Sequence, residues 1–129
     1  MSGKEIFQLP WPTSRTITGP KVYWESPALV VDYDFEQDDG SIEWTRVTFH
    51  DVLAFEYRES ACCETADLDA YNQMVRYLDS GWLEEIRRRW REFLGSQAKE
   101  ASEQSYAHWR IYFDDAGCID VIAQSFEIG

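Results

Sequence analysis

Tyr106–Ile128 reads YAHWRIYFDDAGCIDVIAQSFEI, and its alternation decides how the rest of the chain is read. Trp109, Ile111 and Phe113 alternate with His108, Arg110 and Tyr112, the period-2 pattern of a strand with one buried face. Asp114-Asp115-Ala116-Gly117 is dense in turn formers, so the stretch predicts a β-hairpin. A two-residue loop would mix apolar and charged residues on both faces. A three-residue loop, Asp115–Gly117, sets Phe113 opposite Ile119, Ile111 opposite Val121 and Trp109 opposite Ala123. That register gathers the apolar partners on one face and puts Gly117 where a left-handed residue suits a bulge. His108, Arg110, Tyr112 and Asp120 then share the other face as a polar cluster, with Tyr112 opposite Asp120.

The 129 residues suit one domain, 1–129, with 1–20 as a proline-rich arm holding Pro10, Pro12 and Pro20. Trp11 is expected to anchor that arm, and Thr13–Thr18 to add a short edge strand. The formal net charge is −12, which disfavours nucleic acid and anionic membrane as partners, since both are polyanions. Six Trp argue for a packed core rather than a disordered acidic chain. Three Cys, two of them adjacent at Cys62-Cys63, make no disulfide framework, and no further Cys or His stands at metal-ligand spacing. No apolar leader or membrane-length run is present in the sequence. The expectation is a reduced, soluble, cytoplasmic protein with no metal and no cofactor.

Ala28–Phe35 alternates, with Leu29, Val31, Tyr33 and Phe35 on one face. Gln37–Gly40 is a turn and Ser41–Phe49 a return strand. With a two- or four-residue loop, Asp32, Asp34 and Glu43 are expected on one outer face, and Glu36, Asp38 and Asp39 at its tip. Val52–Glu59 resumes the alternation after His50-Asp51 and reads as the third strand of the same meander. Adjacent strand residues point to opposite faces, so His50 and Asp51 read as a turn rather than a catalytic pair.

Leu68, Tyr71, Val75 and Leu78 recur at helical spacing and predict a helix over Leu68–Leu78. Ser80 caps a second helix, Gly81–Leu94, whose stripe is Leu83, Ile86, Trp90 and Phe93, with Gly95 just past its end. The arginine run Arg87–Arg91 faces Glu84 and Glu85 at i,i+4 spacing, which points to a solvated ion-paired face rather than a phosphate site.

Ser80-Gly81-Trp82-Leu83, with Ile111-Tyr112-Phe113-Asp114, Gly117-Cys118 and Val121–Phe126, resembles a group of small uncharacterised acidic bacterial proteins. The resemblance extends in kind to immunity proteins of toxin systems; it implies no activity and assigns no site residue. The expected fold is α+β: an antiparallel sheet in the order β-β-β-α-α-β-β with two helices on one face. The expected function is protein binding, as an immunity-type inhibitor of a cytosolic toxin with a basic site. Asp32, Asp34, Glu36, Asp38, Asp39 and Glu43 are its partner-binding residues. One alternative is a small-molecule-binding or enzymatic domain with a pocket between sheet and helices. Another is a homodimeric accessory protein. No dinucleotide, P-loop, zinc-protease or serine-hydrolase motif is present, so no catalytic residue is assigned.

Overall fold

Two antiparallel sheets, not one, carry this chain. The structure, a computed structural model, describes residues 4–13, 16–59, 62–63, 70, 72–95, 106–113 and 116–129. Its strands are β1 (Lys4–Gln8), β2 (Lys21–Glu25), β3 (Ala28–Glu36), β4 (Ile42–His50), β5 (Ala54–Arg58), β6 (Gln73–Tyr77), β7 (Ala107–Phe113), β8 (Gly117–Ala123) and β9 (Ser125–Ile128). The one helix among the described residues is α1 (Gly81–Leu94). One sheet runs β1-β6-β7-β8-β5 and the other β2-β3-β4-β9. The α+β arrangement of one meander under two helices is therefore wrong. The described residues are mainly β, in two layers, with a single helix outside them.

The expected third strand shows how the layers arise. β5 leaves the sheet of β3 and β4 and pairs with β8 instead, Phe55 opposite Val121. Asp51, at φ 56°, turns the chain in the left-handed region between β4 and β5. β8 makes the same crossing, running through Gln124 into β9, which pairs with β4. Gln124 N–H donates to the His50 carbonyl at 3.1 Å, and Leu53 N–H to the Ile122 carbonyl at 2.9 Å. Two adjacent strands thus bend together and form a shared corner between the sheets. Alternation continues across a bend, so the sequence pattern alone does not reveal the change of layer.

Between the sheets lies the main core. Leu29, Val31, Tyr33, Val47 and Phe49 from one layer meet Met74, Trp109, Ile111, Phe113 and Val121 from the other. The inward alternation of Leu29, Val31, Tyr33, Trp109, Ile111, Phe113 and Val121 is the one read from the sequence, whereas Val47 and Phe49 turn inward against the parity expected of the return strand and Met74 comes from a stretch expected to be helical. Together they remove large apolar surfaces from water. Tyr33 and Phe113 meet edge to face at 5.2 Å between ring centroids. The Tyr33 hydroxyl donates to the Trp11 carbonyl at 2.8 Å, and burial raises its pKa far above the ordinary phenol range. The Trp11 ring stacks on Phe35. Within the N-terminal arm the described strand is Lys4–Gln8, which pairs with β6; of the stretch expected as an edge strand, Thr13 and residues 16–18 are not strand and residues 14–15 lie outside the described residues.

Two registers and one element differ from expectation. In the C-terminal hairpin Phe113 pairs with Gly117, Ile111 with Ile119 and Trp109 with Val121, two residues from the expected pairing. A two-residue slip preserves every face, so the hydrophobic alternation did not detect it. Gly117, at φ 102°, opens β8. In the β3–β4 hairpin Glu36 pairs with Ile42 around a five-residue loop, closed by Gln37 N–H to the Ser41 carbonyl at 2.8 Å. An odd loop reverses the parity assumed for the return strand. Of the helix expected over Leu68–Leu78, the stretch Gln73–Tyr77 is strand β6, between β1 and β7. Leu68 and Tyr71 lie outside the described residues. A short apolar run fits either period, and here the sheet's open hydrogen-bonding edge won over local spacing.

Helix α1 has the expected bounds. Ser80 Oγ accepts from Leu83 N–H, and Gly95 N–H closes the far end on the Arg91 carbonyl. Leu83 is buried against Ile122, with Trp82 and Ile86 beside it, so α1 covers the outer face of the five-stranded sheet. Phe93 is 80% exposed and does not extend that buried stripe. Arg89 pairs with Glu85 at 2.6 Å, while Arg88 turns to Glu92 and Arg87 to Glu84. No helix among the described residues is long and apolar enough to cross a membrane.

Candidate functional site

Three loci hold the polar, aromatic and acidic residues singled out above. The first is the acidic set on β3 and β4. Asp34 is 1% exposed. Its carboxylate accepts from the N–H groups of Ile17 and Thr18 and from the Thr18 hydroxyl, the last at 2.8 Å. Burial pushes the Asp34 pKa up, but the Thr18 hydroxyl and the two backbone donors outweigh it and hold the group below the ordinary carboxylate range. Asp34 is thus the anchor of the 16–18 loop. Asp32 lies opposite Arg46, whose Nε approaches it at 2.7 Å. Glu43 lies opposite Phe35, on the other side of the sheet from Asp32 and Asp34. The expected common face of Asp32, Asp34 and Glu43 does not form, because the five-residue loop reversed the parity. Glu36, Asp38, Asp39 and Glu43 are exposed around the turn. There the Ser41 hydroxyl donates to Asp39 at 2.6 Å, and this bond, followed by that from Ser41 N–H, lowers the Asp39 pKa.

The second locus is the polar face of the C-terminal hairpin, and here the structure brings together more than the sequence suggested. Arg110, not Tyr112, is opposite Asp120; Tyr112 is opposite Cys118. Asp120 is 2% exposed. It receives His108 Nε2 and Arg110 Nε at 2.6 Å each, and Arg58 Nη2 at 2.9 Å. Burial pushes the Asp120 pKa up. The His108 hydrogen bond and the charge of Arg110 more than offset this and bring it below the ordinary carboxylate range. His108 is packed between the Tyr77 ring at 5.2 Å and the Trp82 ring at 5.1 Å. Its Nδ1 lies 2.9 Å from Ser80 Oγ. Arg58, Tyr77, Ser80 and Trp82 were missed from sequence. Only parity linked Arg58 to this face, and that signal depended on knowing that β5 pairs with β8.

Ser80, His108 and Asp120 have the residue order of a hydrolytic triad, yet their surroundings point to a structural lock. The Ser80 oxygen is already the N-cap acceptor of α1, at 3.1 Å from Leu83 N. Asp120 is shared with two guanidinium groups rather than reserved for the imidazole. None of the clefts described below is lined by Ser80. The chain of contacts ties the start of α1 to the middle of the sheet. Ser80→Ala is expected to lower stability by about 1–2 kcal/mol, with Ser80→Thr retaining most of it. Denaturant midpoints of the two variants at pH 7 check this.

The third locus is a cleft of about 790 Å³ between edge strands β2 and β5, where the two sheets part. Ile17, Val22, Phe55, Tyr57 and Ile119 line it, with the 16–20 loop as one wall. The Tyr57 hydroxyl donates to the Ala116 carbonyl across its end. Trp24 packs on Phe55 at 5.6 Å, joining the two edges without backbone pairing. The expected place for a pocket was between sheet and helix. A hollow of about 680 Å³ does lie there, beside Leu53, Ile86, Trp90 and Tyr106. A shallower pocket of about 330 Å³ lies on the outer face of the four-stranded sheet, around Tyr23, Asp32, Trp44 and Arg46. No group of three or more His, Cys, Asp or Glu among the described residues is placed to hold a metal ion. His50 Nε2 instead meets Glu127 at 2.9 Å, far in sequence from Asp51.

Fold and loci together define a two-sheet antiparallel β protein with helix α1 locked over a buried ion cluster. No family model, no curated protein and no solved structure matches the chain.

Proposed function

We infer that the protein is a protein-binding module that works through the outer face of its four-stranded sheet. The observation that carries this reading is a group of large side chains on a sheet face that α1 does not cover. Tyr23 is 43% exposed, Ile42 51% and Trp44 46%, and strand parity points all three outward. Aromatic side chains of this kind are the usual anchors of protein interfaces. Lys21 lies over the Trp44 ring at 4.8 Å and Arg46 pairs with Asp32, so the centre of the face is close to electrically balanced. The exposed acids Glu36, Asp38 and Asp39 of the β3–β4 turn stand at one end of it, while Glu43 lies on the other side of the sheet.

Such a surface suits a basic partner: the apolar centre supplies affinity and the acidic end, within a chain of net charge −12, speeds encounter. A toxin with a basic cleft, which this chain inhibits, is the partner class we favour. The three free thiols accord with a partner met in a reducing compartment. Capture from the native host, at low and high salt, tests the reading. The wild-type chain is expected to retain a basic protein whose association slows as salt rises. Trp44→Ala is expected to weaken its retention by about 2 kcal/mol, roughly thirtyfold. A partner held equally by Trp44→Ala, with no salt dependence, overturns the assignment.

A further inference from the structure

We propose that the cleft between β2 and β5 is a binding site for a neutral, ring-bearing small molecule. Strand parity is the first argument. Phe55 is opposite Val121, and Val22 opposite Val31; both partners are fully buried core residues. Phe55 and Val22 therefore face inward, where a two-layer β protein covers its side chains. Phe55 is nevertheless 44% exposed, Val22 40% and Tyr57 55%. Among the described residues the apolar interior is left open along one side, over a volume in the range that holds drug-sized ligands.

The walls are built rather than incidental. Ile119, 2% exposed, forms the floor from the middle of the main core. The outer wall is the 16–20 loop, whose backbone is pinned by the buried Asp34 carboxylate. Asp34 thus has a role that acidic solvation does not explain: it holds a loop over an apolar cavity. In that loop the Thr16 hydroxyl is buried and has no hydrogen-bond partner among the described residues. A turn of its side chain toward the cleft offers one polar contact to an otherwise apolar guest.

The ligand class follows from what lines the space. Phe55 and Tyr57 present ring faces and edges, which favour a planar guest. Among the described lining residues there is no Lys, Arg or His, while Glu56 is present. With a chain of net charge −12, this selects against anions. The site lies on the inner side of the four-stranded sheet, opposite Tyr23 and Trp44, so it is separate from the proposed protein-binding face.

N-phenyl-1-naphthylamine, a neutral ring probe, tests the site by fluorescence titration of the full chain. Saturable binding of one equivalent is expected, and 8-anilinonaphthalene-1-sulfonate, the anionic counterpart, is expected to bind about tenfold more weakly. Val22→Trp, which fills the cleft, is expected to reduce affinity for the neutral probe by at least about tenfold. Phe55→Ser, at an exposed position, gives a second test should Val22→Trp fail to fold, and is expected to weaken binding in the same direction. Trp44→Ala is expected to leave it unchanged. Absence of saturable binding overturns the proposal, as does equal affinity in Phe55→Ser, or a loss in Trp44→Ala in place of the cleft variants.

Discussion

Deleting residues 106–129 is expected to abolish cooperative unfolding, leaving a chain with no melting transition. β7 and β8 are the central pair of the five-stranded sheet, with β6 on one side and β5 on the other. Without them β1, β5 and β6 lose their partners, and the four-stranded sheet loses β9 and the layer it packs on. Trp109, Ile111, Phe113, Ile119 and Val121 all lie in the main core. Removing any one such side chain costs about 2–5 kcal/mol, while a whole domain of this size is stable by about 5–15 kcal/mol. The loss therefore exceeds the total. Differential scanning calorimetry of the full chain and of residues 1–105 decides it. A cooperative transition in the shorter chain would show that the strands left behind fold without β7, β8 and β9.

Replacing Asp120 is expected to have the largest effect of any single substitution outside the apolar core. Asp120→Ala strands His108, Arg58 and Arg110 around an empty site on a buried sheet face. Removing one partner of a buried ion pair costs about 3–5 kcal/mol. The side chains of Arg58 and Arg110 keep 22% and 16% exposure, so both can recover some hydration. The expectation is accordingly about 3 kcal/mol, a fall in Tm of roughly 10 °C. Asp120→Asn, which keeps the volume and removes the charge, is expected to cost less at pH 7.

The same carboxylate sets a pH dependence whose sign follows from linkage. The folded-state pKa of Asp120 lies below its unfolded value, and so does that of Asp34. Each contributes stability that is complete above the ordinary carboxylate range. Each contribution is lost as pH falls through that range and then through the lower folded value. The wild-type protein is thus expected to lose stability on acidification. Asp120→Asn is expected to show a flatter acid limb and to converge on wild type at the lowest pH. Chemical denaturation from pH 7 downward measures both. Parallel curves for the two proteins would show that Asp120 is not the group responsible.

Much of this was legible from local chemistry. Ser80, the Leu83–Ile86 spacing and Gly95 are signals within one helix, and α1 has the bounds they imply. Trp109, Ile111 and Phe113 alternate with polar neighbours, and burial follows that alternation because a strand has only two faces. His108, Arg110 and Asp120 share a face for the same reason. What parity cannot register is a shift of two residues, and the hairpin pairing differs from expectation by that amount.

The remaining features depend on partners distant in sequence. Gln73–Tyr77 is a strand because β1 and β7 offer it hydrogen bonds on both sides, a fact absent from its own five residues. Glu43 lies away from Asp32 and Asp34 because loop length sets strand parity, and the Gln37–Ser41 turn admits more than one length. Asp34 is an anchor rather than a surface charge because the 16–18 loop folds back over it. The cleft exists because β4 and β8 both bend into the other layer, which leaves β2 and β5 as facing, unpaired edges. By itself the sequence determined which side chains turn inward along β3, β7 and β8 and where α1 starts and stops, since these rest on contacts within a few residues. Only the tertiary structure decided that there are two sheets, that the buried ion cluster includes Ser80 and Arg58, and that an apolar cavity opens between the layers. Those outcomes depend on strands meeting across tens of residues, where local periodicity carries no information.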